Sequence, residues 1–312
     1  MTKVLVTGGL GFIGSHIVDL LIEKDYEVVI VDDISTGSKE NLNKDAKFYK
    51  TDICDPDLKS IFEKEKIEFV LHQVAQVNVR RSVSDPRFDA EVNILGSINL
   101  LECCREFDVK KIVYASSGGA VYGEPQYLPV DEEHPIRPLC PYGASKYSVE
   151  NYLFIYWKNF NLDYATLRYS NVYGPRQDPF GEAGVVAIFT DKLLRNKSPV
   201  IFGDGNQTRD FVYVEDVVNA NLIAMKKETR SKEFNIGTGI ETSVNDIYER
   251  LKKITNSNAS AVHGDPVLGE VRRICLDIKL AQKELGWKPQ INLDEGLRKT
   301  VEWFKKKKWV EG

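Results

Sequence analysis

Tyr142 and Lys146 stand four apart in the run Tyr142-Gly143-Ala144-Ser145-Lys146, and on a helix that spacing puts a phenol and an ammonium group on one face. Pro141 suits the first turn of such a helix. A free phenol titrates near ~10, so a proton acceptor at neutral pH needs a shift worth about 4 kcal/mol, which nearby positive charge in a water-poor site can supply. The spacing alone decides nothing, because Tyr248 and Lys252 repeat it. That second pair shares a late helical segment with Leu251 and Ile254, has no serine-glycine strand end before it, and reads as structural.

Company separates the two pairs. Upstream of Tyr142, the apolar run Lys3–Thr7 leads directly into Gly8-Gly9-Leu10-Gly11-Phe12-Ile13-Gly14 and then a helical pattern. Glycines there permit a tight turn and close backbone approach, so a pyrophosphate can rest on the helix N-terminus, where amide N–H groups and the dipole favour negative charge. By itself the loop could be a plain flexible turn. Asp32 adds a second requirement of the same site, closing the next strand about twenty residues on, where a carboxylate accepts from ribose hydroxyls and repels a 2′-phosphate. The expectation is bound NAD rather than NADP, with Tyr142 as a base facing its nicotinamide.

The elements that must hold these groups alternate. Lys3–Thr7, Glu27–Asp32, Lys47–Lys50, Phe69–His72, Lys111–Ser116 and Tyr164–Tyr169 read as strands, with helices at 12–24, 56–65, 86–107 and 142–160 between them. That alternation predicts an α/β fold, a Rossmann-type doubly wound parallel sheet whose ligands sit beyond the carboxyl ends of the strands. From 170 to 210 glycines and prolines break the pattern. Later strands (Phe211–Val214, Glu233–Ile236, Ile274–Asp277) and helices (215–228, 243–254, 293–306) interleave with it. The expected division is a NAD-binding domain over 1–169, with segments near 209–237 returning to it, and a smaller interleaved C-terminal substrate-binding domain over 170–312.

Composition narrows the function classes. The chain has 312 residues, 42% hydrophobic and 28% charged, which is globular composition, and a formal charge of -4 argues against nucleic acid or an anionic membrane as partner. Lys305 to Lys308 is a basic run closing a C-terminal helix, where cations suit the dipole. An apolar strand begins by Val4 without a charged leader, and nowhere do eighteen apolar residues run together, so the expected location is cytoplasmic. Five cysteines without a Cys-x-x-Cys and four histidines without ligand spacing imply reduced thiols and no metal.

Taken in order, Thr7-Gly8-Gly9-Leu10-Gly11-Phe12-Ile13-Gly14, Val31-Asp32-Asp33-Ile34-Ser35-Thr36-Gly37, Asp52-Ile53, Ser116-Ser117-Gly118-Gly119-Ala120-Val121-Tyr122-Gly123, Pro141-Tyr142-Gly143-Ala144-Ser145-Lys146, Arg168-Tyr169-Ser170-Asn171-Val172-Tyr173-Gly174-Pro175 and Gly203-Asp204-Gly205-Asn206-Gln207-Thr208-Arg209-Asp210 resemble the extended short-chain dehydrogenase/reductase family. Within it the chain is similar to the UDP-glucose 4-epimerase-like nucleotide-sugar enzymes, over essentially its whole length. The resemblance implies that Tyr142 is the acid/base, with Lys146 binding the nicotinamide ribose and holding the phenol pKa down. It implies cofactor contacts at Gly8, Gly11, Phe12, Ile13, Gly14, Asp32, Ser35, Thr36, Gly37, Asp52, Ile53, Gln73, Ala75, Gln76, Asn93, Tyr142, Lys146, Tyr169 and Val172. Substrate contacts are implied at Gly118, Asn171, Val185, Val200, Phe202, Arg209, Glu270 and Arg272, with Arg209 recognising phosphate bidentately.

Departures from the family pattern shape the expected reaction. Relatives place a catalytic serine or threonine where this chain has Gly118, so Ser117 turning inward, a water, or no helper at all remain open for that task. The dehydratases of the family carry an Asp-Glu pair, and the decarboxylases a glutamate, near the position of Gly119-Ala120. Without a second acid or base, an oxidised 4-keto sugar has little to do except take its hydride back. The implied activity is therefore an NAD-dependent UDP-hexose 4-epimerase interconverting UDP-glucose and UDP-galactose, the UDP-N-acetylhexosamines being a further option. Alternatives are a nucleotide-sugar reductase or synthase that exchanges its cofactor, and an NAD-binding regulatory protein.

Val267 stands where relatives often carry an arginine, and Arg272 is the alternative diphosphate contact. Ile274 falls where relatives set room for an N-acetyl group, and its intermediate size leaves both sugar series open. Family members pair as dimers through the helices at 86–107 and 142–160. Here these carry Ile98, Leu101, Tyr147, Tyr152, Phe154 and Trp157, so a homodimer is expected, part of the stripe packing on the sheet.

Overall fold

The computed structural model describes residues 1–180, 184–266 and 271–307. Strand β1 (Lys3–Thr7) turns through the glycine loop into α1 (Phe12–Glu23) and returns as β2 (Glu27–Asp32). Then follow β3 (Lys47–Lys50), α2 (Leu58–Glu65), β4 (Phe69–His72), the short helices α3 (Val79–Ser84) and α4 (Pro86–Ala90), and α5 (Gly96–Glu106). Next come β5 (Lys111–Ser117), the single turn α6 (Gly118–Val121), the long α7 (Pro141–Phe160), β6 (Asp163–Tyr169) and β7 (Asn171–Tyr173). The remainder runs α8 (Val185–Leu194), β8 (Val200–Phe202), β9 (Thr208–Tyr213), α9 (Val214–Lys226), β10 (Glu233–Ile236), β11 (Glu241–Ser243), α10 (Val244–Thr255), β12 (Val262–Gly264) and α11 (Leu293–Lys306).

Seven parallel strands form the main sheet in the order β3-β2-β1-β4-β5-β6-β10. β1, β2 and β5 are short runs rich in β-branched residues and buried on both faces, as helix-covered parallel strands must be, whereas the edge strand β3 is only partly covered. One core, between the sheet and α1 and α9, holds Val6, Ile17, Ile30 and Val217; the other, under α2, α5 and α7, holds Leu5, Phe62, Leu100 and Leu153. Beyond the carboxyl edge lie a three-stranded sheet, β11-β9-β7, and the pair β12-β8, with α8, α10 and α11 packed around them. No helix among the described residues is long and apolar enough to cross a membrane.

Several expectations need correction. The stretch 86–107 is helical as expected but not regular: α4 continues into α5 through a wide π-type turn over Glu91–Leu95, within which Asn93 is buried. Ile274–Asp277 is not a strand, because Leu276 meets Val130 and Arg273 meets Thr208 only through isolated bridges. Phe211–Val214 belongs to a longer strand that ends at Tyr213, Val214 opening α9. Within the supposed surface stripe Leu101 is buried core, whereas Phe154 is exposed. Tyr248 is buried as well, its hydroxyl donating to Ala259 O and accepting from Ala261 N, a structural role.

A buried ion pair fixes α7 to the sheet. Glu150 lies two turns beyond Tyr142 on the same face. It accepts from Arg168 of β6 through Nε (3.2 Å) and Nη2 (2.6 Å), and from Ser116 Oγ of β5 (2.5 Å). Arg168 Nη1 also donates to Tyr122 Oη at 2.9 Å. Truncating Glu150 strands a buried guanidinium, so Glu150→Ala should lose about 3–5 kcal/mol in equilibrium urea unfolding; a loss near zero would show that the pair does not anchor the helix.

Candidate functional site

The site is assembled along the carboxyl edge of the main sheet. After β1, Gly8 takes φ +70, and a Cβ on it would lie 3.0 Å from Val74 N. At Gly14 a Cβ would fall 2.1 Å from Gly8 O, so the turn closes only on glycine. Gly11 begins α1 without a side-chain cap, leaving the first N–H groups of the helix for a ligand. Phe12 and Ile13 form the first turn beside them.

Asp32 ends β2 and is buried, which pushes its carboxyl pKa up, while bonds from Ile34 N to Oδ1 (2.8 Å) and Leu10 N to Oδ2 (3.0 Å) hold it down. Each oxygen keeps acceptor capacity for a ribose hydroxyl. The loop Ser35-Thr36-Gly37 follows, with the Ser35 hydroxyl given to Asp33 at 2.6 Å. Asp52 and Ile53 leave β3; Asp52 Oδ1 accepts from Cys54 N at 2.8 Å, and Ile53 is core. Glycine loop, carboxylate and uncapped helix start thus form a cradle that fits a dinucleotide with an unsubstituted ribose.

At the ends of β4 and β6 the expected cofactor residues are knitted together. Gln73 Nε2 donates to Tyr169 Oη (3.4 Å) and Asn221 Oδ1 (3.2 Å), and Asn221 Nδ2 donates to Tyr169 Oη (2.7 Å). Sequence reasoning missed Asn221, a buried polar residue on α9. Ala75 and Val172 are half-buried alongside. Gln76 and Asn93 differ from the others, since their side chains are spent on protein partners. Gln76 Oε1 accepts from Asn78 N (2.6 Å) and its Nε2 donates to Asn78 O and Asp89; Asn93 bonds Gln76, Asp89 and Ser145.

Tyr142, Lys146 and Glu150 share the face of α7 laid across the end of β5. Lys146 Nζ donates to Ala115 O at 2.8 Å and sits 4.9 Å above the Tyr114 ring and 5.9 Å from the Tyr142 ring. Burial pushes the Lys146 ammonium down to about 7. Burial also drives the Tyr142 phenol well up, and a hydrogen bond from Ser117 works against that rise. Ser117 is thus a group that favours the phenolate here. Ser116 Oγ donates to Glu150, whereas Ser117 bonds Tyr142. At Gly118 a Cβ would stand 2.7 Å from Leu276 Cδ1, so a side chain there would require Leu276 to shift.

Tyr142 opens on a cavity of about 300 Å³ lined also by Ser170, Asn171, Val172, Tyr173, Gln177, Gly184, Val186 and Phe211. Val185 begins the helix on its far side. Ser170 Oγ and Gln177 Oε1 are buried there with no hydrogen-bond partner. Neither was singled out from sequence; the signal lay in their places flanking Asn171. A second cavity is lined by Phe202, Gly203, Asp204, Gln207, Pro266, Val271 and Arg272. Phe202 and Val200 are exposed on β8. Arg272 is fixed by two 2.8 Å bonds to Asp204, so its fork is already taken, and Arg209 Nη1 donates to Thr208 O. Ile274 is buried with Val121, Tyr122, Val130 and Leu276 and lines neither cavity. Val267 and Glu270 lie outside the described residues.

Residues 4–237 match the model of the NAD dependent epimerase/dehydratase family. The UDP-glucose 4-epimerase of Mycolicibacterium smegmatis is 45% identical over 310 residues, covering 98% of this chain and 99% of that protein. Among solved structures, a UDP-glucose 4-epimerase with UDP-glucose from Thermotoga maritima superposes with a TM-score of 0.96 at 50% identity, over 98% of this chain and 99% of that one. The UDP-glucose 4-epimerase of Thermus thermophilus in complex with NAD gives 0.94 at 40% identity, again over 98% and 99%.

Ser117→Ala removes the bond that opposes the rise of the phenol. The acid limb of turnover, set by deprotonation of Tyr142, should then move to higher pH, with turnover at pH 6.5 falling about tenfold. A pH–rate profile identical to the native one would dismiss Ser117.

Proposed function

The chain belongs to the NAD-dependent epimerase/dehydratase family, and from that premise we propose that it interconverts UDP-glucose and UDP-galactose by oxidising and re-reducing C4 of the sugar. NAD is its cofactor. The observation that carries the reaction type is the cavity beside Tyr142: its described lining holds two phenols, Tyr142 and Tyr173, the second donating to Leu293 O, and no carboxylate or imidazole. Among the described residues a 4-keto sugar held there meets no carboxylate to expel water or drive decarboxylation, which favours return of the hydride.

Tyr142 takes the O4 proton as C4 is oxidised and returns it when C4 is reduced from the other face. When bound, NAD accepts and gives back the hydride, and its nicotinamide adds positive charge beside the phenol. The chain's own part is to exclude water, to hold Lys146 over the pair of rings, and to supply Ser117 against the raised pKa of the phenol. Ser170 Oγ and Gln177 Oε1 offer unspent hydrogen bonds to sugar hydroxyls. Turning the ketose over requires a loosely held sugar on a firmly held nucleotide. For that grip the reading uses Phe202 as a surface for the base and Arg209 for the diphosphate, with Asn171 between nucleotide and sugar. Arg272 supports the loop through Asp204 instead. Because Ile274 stands away from the cavity, the choice between glucose and N-acetylglucosamine series falls to the cavity lining, and both should be assayed.

The wider assignments rest on this reading. Residues 1–169, joined by β10 in the sheet, constitute the NAD domain, and 170–312 mainly the nucleotide-sugar domain. All five cysteines are free thiols, which suits the reducing cytoplasm. Phe154 and Ile155 on α7 and Leu95 before α5 are exposed apolar side chains on the face expected to form the homodimer.

Two measurements test the proposal. Purified protein given UDP-galactose should form UDP-glucose without added reductant, and Tyr142→Phe should cut turnover by about 10³-fold while NAD stays bound; a variant that still turns over near the native rate would remove Tyr142 from the mechanism. Sedimentation should give twice the 35.4 kDa chain mass, and a 35.4 kDa species would refute the dimer.

A further inference from the structure

The π-type turn between α4 and α5 brings two polar side chains inside, Asp89 and Asn93. Asp89 Oδ1 accepts from Gln76 Nε2 at 2.8 Å and Asn93 Nδ2 at 3.2 Å, while its Oδ2 is buried with no hydrogen-bond partner. Asn93 Nδ2 also donates to Ser145 Oγ at 3.1 Å, and Ser145 Oγ donates to Tyr142 O at 3.0 Å. A continuous path of bonds thus runs from a buried carboxylate to the helical turn that presents Tyr142 and Lys146. The mechanism above makes no use of that carboxylate.

A buried carboxylate with an unsatisfied oxygen is costly unless something compensates it. On the facing helix α7, Lys146 is a buried cation whose Nζ bonds only a neutral carbonyl, Ala115 O. Glu150 on the same helix is already consumed by Arg168. The other titratable groups around this point do not balance the charges. His72 of β4 is held neutral by burial, its pKa near 3, between Thr7 and Ser97. Tyr114 of β5 and Tyr142 of α7 are phenols that burial keeps protonated, and the charge of Asp89 pushes both further up. Cys140 heads α7 as a half-buried thiol; Arg81, stacked on Phe88, and Glu91 are exposed on the segment's outer side. After burial, Asp89 is the largest influence on Lys146, and it favours the charged form.

We propose that Asp89 is a positioning residue, a buried counter-charge that keeps Lys146 an ammonium group and, through Asn93 and Ser145, fixes the turn presenting Tyr142. With Asp89 charged, the Lys146 cation is balanced inside the protein whether Tyr142 is protonated or not. Without it the buried amine loses its proton at lower pH, and the phenolate loses a neighbouring cation. The activity arm of the test rests on the epimerase reading; the titration arm does not.

Asp89→Asn keeps the size and one acceptor but deletes the charge. The basic limb of kcat, set by loss of the Lys146 proton, should move to lower pH by about one unit, with KM for UDP-galactose changed by less than about twofold. Independently, in protein labelled with 13C at lysine Cε, the resonance lost in Lys146→Met should titrate near 7 in the native chain and lower in Asp89→Asn. Asp89→Ser, equally uncharged, serves if the first variant fails to give a native circular dichroism spectrum. A Lys146 midpoint that stays in place in a folded variant overturns the proposal, as does a kcat loss without any shift of the basic limb. Native protein that lacks epimerase activity would refute the functional reading, and the lysine titration would still decide the role of Asp89.

Discussion

One face of α7 lies across the carboxyl end of β5, and the rest of the structure is arranged around that contact. Three helix residues one turn apart meet three consecutive strand residues: Lys146 bonds Ala115 O, Glu150 takes the hydroxyl of Ser116, and Ser117 bonds Tyr142. The Glu150–Arg168 pair clamps the arrangement from β6, with Tyr122 and Asn235 completing its hydrogen bonds. Such a pair contributes little net stability over an apolar substitute, but it permits a single register of helix on strand. In this protein register is function, because it fixes the distance between the phenol and the cavity in which a sugar reacts.

Burial acts against the charged forms of both Tyr142 and Lys146, driving the phenol up and the amine down. The site is therefore a dry pocket that resists charge, and each charge that chemistry needs must be supported locally. Ser117 supports the phenolate, and Asp89 opposes neutralisation of the lysine. Gly118 packs against Leu276, and the hydroxyl that bonds Tyr142 comes from Ser117, one position earlier.

Much of this was legible in the chain. Strands β1, β2 and β5 stood out as short runs rich in β-branched residues, and the glycine loop followed by Asp32 announced a dinucleotide, Gly8 and Gly14 having a steric reason to be there. Tyr142 could be told from Tyr248 by its neighbours, and the buried hydroxyl of Tyr248 shows why that residue packs instead of reacting. What stayed hidden depends on tertiary partners. Nothing local marks Glu91–Leu95 as a π-type turn; it exists because Asn93 is drawn inward by Gln76, Asp89 and Ser145. Likewise Ile274 to Asp277 has strand-like composition but runs past Val130 with a single bridge. The ion pair of Arg272 with Asp204 joins residues close only in space.

The central claim is that hydride leaves and rejoins C4 of one sugar within one closed site, under the control of Tyr142. UDP-galactose carrying deuterium at C4 tests it most directly, with the UDP-glucose product read by mass spectrometry and NMR. The account predicts that the product keeps all its deuterium at C4, with none passing to solvent or to NAD added in excess. Loss of the label to either pool, or its appearance at another carbon, would contradict it.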